Sequence, residues 1–112
     1  MVRSFGEAVI RLEYAVDVSA YIGDAAAEME LGDRLLTALE NRVAGPAVSQ
    51  HSNSGIVSAT VCVMDTDPLS AARKAFNELV EALRIAGVEG KVRLVELQVV
   101  EEHEEAAAGA AW

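Results

Sequence analysis

Residues 49–55, SQHSNSG, decide how the central part of this chain folds. Asn, Ser and Gly are the residue types that a hairpin connection requires, because they tolerate a positive φ or hydrogen-bond to their own backbone. The segment 47–51 before the turn is a short polar strand candidate. The segment 56–64 after it is rich in β-branched residues, which favour strands. We therefore predict a hairpin with the SNSG segment as its turn.

The same stretch also has the composition of a nucleophilic site, since it holds Ser, His and Asn close together. On an extended strand, Ser49 and His51 share a side and lie about 7 Å apart. A working nucleophile needs a base held at hydrogen-bond distance, and the sequence lacks the Gly-x-Ser-x-Gly elbow. We therefore predict a polar edge strand and turn here, with no catalytic residue.

The sequence before the hairpin predicts one strand and one helix. Apolar and polar residues alternate over 7–19, which is typical of a half-buried strand. An apolar stripe at helical spacing predicts a helix over 33–44, which Gly45-Pro46 ends. The segment 20–32 stays ambiguous, because Asp24 could cap an earlier helix that Gly32 then loosens. The stripe of the predicted helix consists of Leu35, Leu36, Leu39 and Val43.

The sequence after the hairpin predicts a second helix and a last strand. Asp67 is a good N-cap and Pro68 suits the first helical position, while Gly87 follows the helix end near Ala86. Asp65 and Asp67 could hold Mg²⁺, but capping accounts for Asp67, and we predict no metal. Residues 91–101 alternate as a strand. The stripe of the second helix consists of Leu69, Ala72, Phe76, Leu79, Val80 and Leu83.

The predicted order of elements is β-α-β-β-α-β, which is the ferredoxin-like arrangement of the α+β class. It has a four-stranded antiparallel sheet with two helices on one face. We assign residues 1–102 to this single domain and residues 103–112, which are acidic and rich in Ala, to a flexible tail. The residues expected beneath the helices are Ile10, Leu12, Val16, Val57, Val61, Val63, Val95, Leu97 and Val99.

The opposite, open face of the sheet is the candidate interaction surface. Strict alternation gives it too many apolar residues for a purely solvated face, and contiguous exposed apolar area tends to mark an interface. A partly exposed face without a partner and a small-molecule pocket are the alternatives, and a register error of one residue would exchange the faces. The predicted interface residues are Val9, Arg11, Ile56, Thr60, Cys62, Met64, Val92, Leu94, Gln98 and Val100.

Composition limits the classes of partner that we expect this chain to bind. The 112 residues carry a formal net charge of −9, and such a surface repels phosphate backbones, so we predict no direct nucleic-acid binding. No apolar run approaches the roughly 20 residues of a membrane helix, so we predict no membrane association. Cys62 is the only cysteine, so no intrachain disulfide can form. A reducing cytoplasm is the location that we expect.

We predict a small acidic assembly or accessory domain without enzymatic activity or cofactor, either a homodimer or bound to a larger protein. One alternative is a small-ligand sensor or carrier that uses the open face or the dimer seam, with Arg11, Thr60 and Gln98 as polar contacts. A further alternative is a cofactor-independent enzyme that uses His51 and Tyr14. Tyr14, however, is expected on the helix side, away from such a cavity.

Overall fold

The chain folds into a four-stranded antiparallel sheet and two helices, an α+β architecture that a computed structural model describes for residues 8–106. Side chains are described for residues 10–102. Within this part, no helix is long and apolar enough to cross a membrane. The elements are β1 (Ala8–Tyr21), α1 (Leu31–Glu40), β2 (Ala47–His51), β3 (Ile56–Asp65), α2 (Pro68–Ala86) and β4 (Lys91–Ala106), with a short 3-10 helix at Gly23–Ala27 between β1 and α1.

The strands lie in the order β2-β3-β1-β4, and each neighbouring pair is antiparallel. β3 pairs with β1 only from Leu12 onward, whereas β4 follows β1 along its whole length. Residues 8–11 and 103–106 therefore form a two-stranded ribbon beyond the end of β3. Residues 103–106, expected in the tail, belong to β4, and residues 107–112 lie outside the described part of the chain.

The core lies between the two helices and one face of the sheet. Alternate residues of β1 and β3 are buried there, as the alternation predicted. α1 adds Leu31, Leu35 and Leu39 to the same cluster, and α2 adds Leu79 and Leu83. Both helices therefore pack on one side of the sheet. The buried strand residues are Tyr14, Val16, Val18, Ala20, Val57, Ala59, Val61 and Val63.

The ends of α2 are those that the sequence predicts. The Asp67 carboxylate accepts a hydrogen bond of 3.0 Å from the amide of Ser70, and Pro68 is the first helical residue. Gly87 ends the helix in the left-handed conformation, with φ of 80°. This conformation favours glycine because glycine has no Cβ. The N-cap and C-cap predictions are confirmed.

The buried stripe of α2 differs from the predicted one. Three alanines, at positions 71, 75 and 82, face the core beside Leu79 and Leu83. Leu69, Phe76 and Val80, which were predicted to be buried, are exposed. Alanine methyl groups let the helix backbone lie close to the sheet, whose buried side chains are mostly valines. The larger residues of the helix are therefore displaced toward its flanks.

The hairpin between β2 and β3 is also confirmed. Gly55 has φ of 71° and is buried, and its carbonyl accepts hydrogen bonds from the amides of Ile22 at 2.8 Å and Gly23 at 3.1 Å. A Cβ at Gly55 would lie 3.0 Å from the Tyr21 ring. The turn is thus packed against the chain where it leaves β1, which explains why glycine stands there.

Gln50, inside the opening stretch, joins this hairpin to the start of α1. Its side-chain amide donates to the carbonyl of Glu28 at 2.9 Å and to that of Ala26 at 3.2 Å. Its side-chain oxygen accepts from the amide of Gly32 at 2.9 Å. α1 has no side-chain cap at Glu30, and a helix start leaves four amides without intrahelical partners. Gln50 satisfies one of them from a neighbouring strand.

Candidate interaction surface

The open face of the sheet is more polar than strict alternation predicts. Residues that pair across strands share a face. Ser19 and Tyr21 alternate with the core residues of β1, so they lie on the open face. Their partners in β4, Arg93 and Lys91, therefore lie on the open face as well. Further along, Asp17 accepts a hydrogen bond from the Thr60 hydroxyl and Glu96 accepts one from Gln98. The apolar residues on this face come mainly from β3, namely Ile56, Cys62 and Met64.

Two irregularities in β4 cause this difference. The register with β1 shifts between Asp17 and Val18 and again between Glu13 and Tyr14, which leaves Val95 and Val100 as additional residues in β4. Each such bulge inserts one residue and reverses the alternation beyond it. Alternation counted through the strand therefore assigns the wrong face on one side of each bulge.

The bulges correct part of the predicted interface. Val92 pairs with Ala20 and Leu94 pairs with Val18, so both lie on the helix side and not on the open face. Val92 packs against the core there. Val100, and Val95 of the predicted helix side, occupy the bulges and are exposed. Arg11, Ile56, Thr60, Cys62, Met64 and Gln98 lie on the open face, while the side chain of Val9 is outside the described residues.

The helix side of β4 instead carries exposed apolar residues. Leu94 and Val99 have 46% and 56% of their surface exposed, although their β1 partners Val18 and Tyr14 are buried. α2 packs against β4 as it does against β1 and β3, yet it leaves Leu94 and Val99 about half exposed. An apolar groove, which we call the β4–α2 groove, results between helix and strand. We define it by Val80 and Val92, which line one depression, together with Phe76 on the same flank of α2 and Leu94, Leu97 and Val99 on the same face of β4.

The helix wall of this groove was not predicted from the sequence. Phe76 and Val80 are four residues apart, so they share one flank of α2. Val80 lines a depression together with Val92 and Val88. Both wall residues were predicted to be core residues because they fit an apolar stripe. The alanines at 71, 75 and 82 have the same helical spacing, and they are the signal that could have placed the buried face correctly.

The polar residues proposed for a ligand do not converge. Thr60 is paired with Asp17 and Gln98 with Ala15, on opposite sides of β1. Arg11 lies four residues along β1 from Ala15, which is about 13 Å at the usual rise of a strand. These three side chains therefore do not line one pocket on the open face.

The two residues of the enzymatic alternative are also separated. His51 is exposed at the end of β2, level with Tyr21, whereas Tyr14 is buried beneath α2 near the other end of the sheet. Within the described residues, the Tyr14 hydroxyl has no hydrogen-bond partner. Burial raises the pKa of this phenol, and the charges of Asp67 and Asp65 raise it further. Tyr14 is therefore held in its neutral form.

A cleft of about 450 Å³ lies where the end of α1 approaches β3 and α2. Its size falls in the range of small-molecule sites. Arg42 and Glu78 form an ion pair across it at 2.9 Å, and Lys74 on its rim pairs with Asp65 at 2.8 Å. Both cations are already neutralised by carboxylates of the chain. A charged ligand would have to displace one of these pairs.

Asp65 is the one strongly perturbed carboxyl group among the described residues. It is 9% exposed at the end of β3. The Lys74 ammonium is its main partner, and the amide of Thr66 donates to it at 2.7 Å. These two interactions outweigh desolvation and lower the pKa of Asp65 from 3.8 to about 2. The folded chain therefore prefers the ionised form, which joins β3 to α2.

The lowered pKa of Asp65 predicts that part of the stability of the fold is lost at low pH. A depressed carboxyl pKa stabilises the fold above the unfolded value near 3.8, and the contribution is lost as pH falls toward 2. Asp65→Asn should therefore melt below the wild type at pH 6, and the difference in melting temperature should shrink between pH 4 and pH 2. Differential scanning calorimetry across this range measures it. Glu40→Gln, at an exposed position on α1, is the control. A difference that stays constant with pH would contradict the assignment.

Comparisons with protein-family models, with curated proteins and with solved structures gave no match to this chain.

Proposed function

We propose that this chain is a small protein-interaction domain, without enzymatic activity or cofactor, that self-associates through the β4–α2 groove. The exposure of Leu94, Val99, Phe76 and Val80 on one side of the molecule is the observation that carries the proposal. Contiguous exposed apolar area tends to mark an interface. A larger protein partner is the other occupant that the same groove would accept.

The arrangement of elements supports a ferredoxin-like assignment as part of this proposal. When the sheet order is given from the other edge it is β4-β1-β3-β2, with β1 and β3 in the centre. Such folds serve many functions, so the assignment carries no activity by itself. We also propose a cytoplasmic location, with which the free thiol of Cys62 is compatible.

The groove supports the proposal better than the open face does. Charged and hydrogen-bonded side chains of β1 and β4 occupy the open face, including Asp17, Arg93 and Glu96. Burying them would require each to find a new partner. The groove exposes valine, leucine and phenylalanine side chains, whose transfer from water is favourable.

The proposal predicts that charged groove variants dissociate. Leu94→Lys and Val99→Lys should each weaken self-association at least about tenfold, because each places an unpaired cation in an apolar contact. Both positions are exposed, so melting temperatures should change little. Native mass is measured by light scattering and sedimentation over a concentration series.

Met29→Lys is the matched control, since Met29 is 93% exposed and lies before α1, outside the groove. It should associate like the wild type. A wild type that remains monomeric at all concentrations would contradict self-association. Equal weakening by the control and the groove variants would show that any added cation suffices and would contradict the groove as the contact.

The small-ligand alternative is the second candidate, and the cleft beside Arg42 and Glu78 is the observation that favours it. Apolar walls from Val43 and Val63 and polar groups from Asn77 and Lys74 meet there. It ranks below self-association because the ionic groups of the cleft are already satisfied.

A further inference from the structure

The outer edge of β4 is a long and accessible strand edge. β4 is the last strand of the sheet and runs for 16 residues, whereas β2 at the other edge has only five. An edge strand presents a row of N–H and C=O groups that can pair with another strand. β4 also forms one wall of the β4–α2 groove, so a strand added at this edge would lie beside the exposed apolar residues.

Charge along β4 is segregated by position. The strand begins with Lys91 and Arg93 and reaches Glu101 and Glu102 toward its end, and all four are exposed. An antiparallel second β4 would bring the basic start of each copy beside the acidic end of the other. A parallel arrangement would place like charges together, which is unfavourable. The charge pattern is thus complementary to itself in one direction only.

The bulges of β4 fit the same antiparallel arrangement. In a pairing centred on Leu97, the segment 94–95 of one copy opposes 99–100 of the other, so each bulge meets the bulged segment of its partner. The faces on either side then remain matched. Arg93 and Glu101 are both on the open face and stand opposite each other, and Glu96 meets Gln98 instead of a second carboxylate.

We propose that the partner in the β4–α2 groove is a second copy of this chain, joined by antiparallel pairing of β4 with β4 around Leu97. This inference rests on the proposed self-association and specifies its geometry. The contact is isologous, so the same surface serves both copies and the assembly closes as a dimer. The two sheets form one sheet of eight strands, and the two grooves meet across the seam on the helix side.

Charge exchange tests the direction of pairing. Lys91→Glu with Arg93→Glu gives an acidic variant, and Glu101→Lys with Glu102→Lys gives a basic one. Each variant alone should dimerise about tenfold more weakly than the wild type at low salt, because like charges meet at both ends of the seam. An equimolar mixture should recover wild-type affinity within about threefold, since both seams are then complementary. Analytical ultracentrifugation with one labelled variant measures this, and circular dichroism checks folding.

The chain carrying all four substitutions tests whether charge complementarity, and not the four particular side chains, sets the affinity. In antiparallel pairing its charges are again complementary, and it should dimerise like the wild type. The direction is decided by the variants with one end reversed: in parallel pairing like ends already meet in the wild type, so reversing the charge at one end would not weaken the dimer. Amide hydrogen exchange gives a measurement without substitution: the β4 amides that do not bond to β1 should become protected as the dimer forms.

The outcomes distinguish antiparallel β4 pairing from self-association through the groove in general. Weak dimers for each charge variant, recovery in the mixture and recovery in the four-substitution chain support antiparallel β4 pairing. Dimers that respond to Leu94→Lys but not to charge exchange leave the proposed function standing and overturn the antiparallel arrangement. A wild type that is monomeric throughout overturns both.

Discussion

Gln50→Ala is expected to lower the free energy of unfolding by about 1–3 kcal/mol, because three hydrogen bonds are lost and a part-buried amide is left unpaired. The side chain bonds to the backbone of Ala26, Glu28 and Gly32, so it holds the 3-10 helix and the start of α1 against β2. Urea denaturation followed by circular dichroism gives the change. Gln50→Glu should lose a similar amount, because a carboxylate keeps the acceptor but faces two carbonyl oxygens.

The control for this prediction lies on either side of Gln50. Ser49 and His51 are exposed, and replacing both with alanine should change the free energy of unfolding by less than about 0.5 kcal/mol. A double variant as unstable as Gln50→Ala would mean that the hairpin as a whole, and not the glutamine amide, holds α1. Loss of a defined activity in that double variant, with the fold intact, would contradict the structural interpretation of this stretch.

Leu79→Ala should have the larger effect, a loss of about 2–5 kcal/mol, which is typical of leucine truncation in a core that cannot collapse. Leu79 is 1% exposed and lies in α2 among the alanines that approach the sheet. Small neighbours leave little side-chain volume to refill the cavity. Thermal and urea unfolding measure the loss, and the surviving folded protein should still self-associate.

The next residue along the helix should behave in the opposite way. Val80 is 43% exposed in the groove, so Val80→Lys should change stability little and weaken the proposed dimer at least about tenfold. These adjacent positions separate the core from the contact surface. If Val80→Lys unfolds the chain as Leu79→Ala does, or if it leaves the dimer intact, Val80 does not belong to the contact.

Local signals in the sequence were sufficient for much of the fold. Alternation located β1 and β3, the Asp67-Pro68 pair and Gly87 located the ends of α2, and the turn chemistry of SNSG located the hairpin. Each of these signals acts over a few residues, through backbone conformation or a near hydrogen bond. The helix over 33–44 was also found, although it begins earlier, at Leu31.

What the sequence did not reveal depends on contacts between distant segments. The alternation of apolar and polar residues does not reveal a bulge when the added residue is apolar, as Val95 and Val100 are. For this reason Val92 and Leu94 were predicted on the wrong face of the sheet. The role of Gln50 requires a strand to meet a helix start 18 positions away. The exposed side of α2 depends on how close the helix lies to the sheet, which a helical stripe does not specify.

The alanines at 71, 75 and 82 have a consequence beyond the core. Because each contributes only a methyl group, they act as spacers that set the height of α2 above the sheet. That height fixes how far Phe76 and Val80 stand from β4, and so how wide the groove opens. In the self-association that we propose, the width of the contact would therefore depend on residues that the second copy does not touch, and a larger side chain at Ala75 would change that width from inside the core.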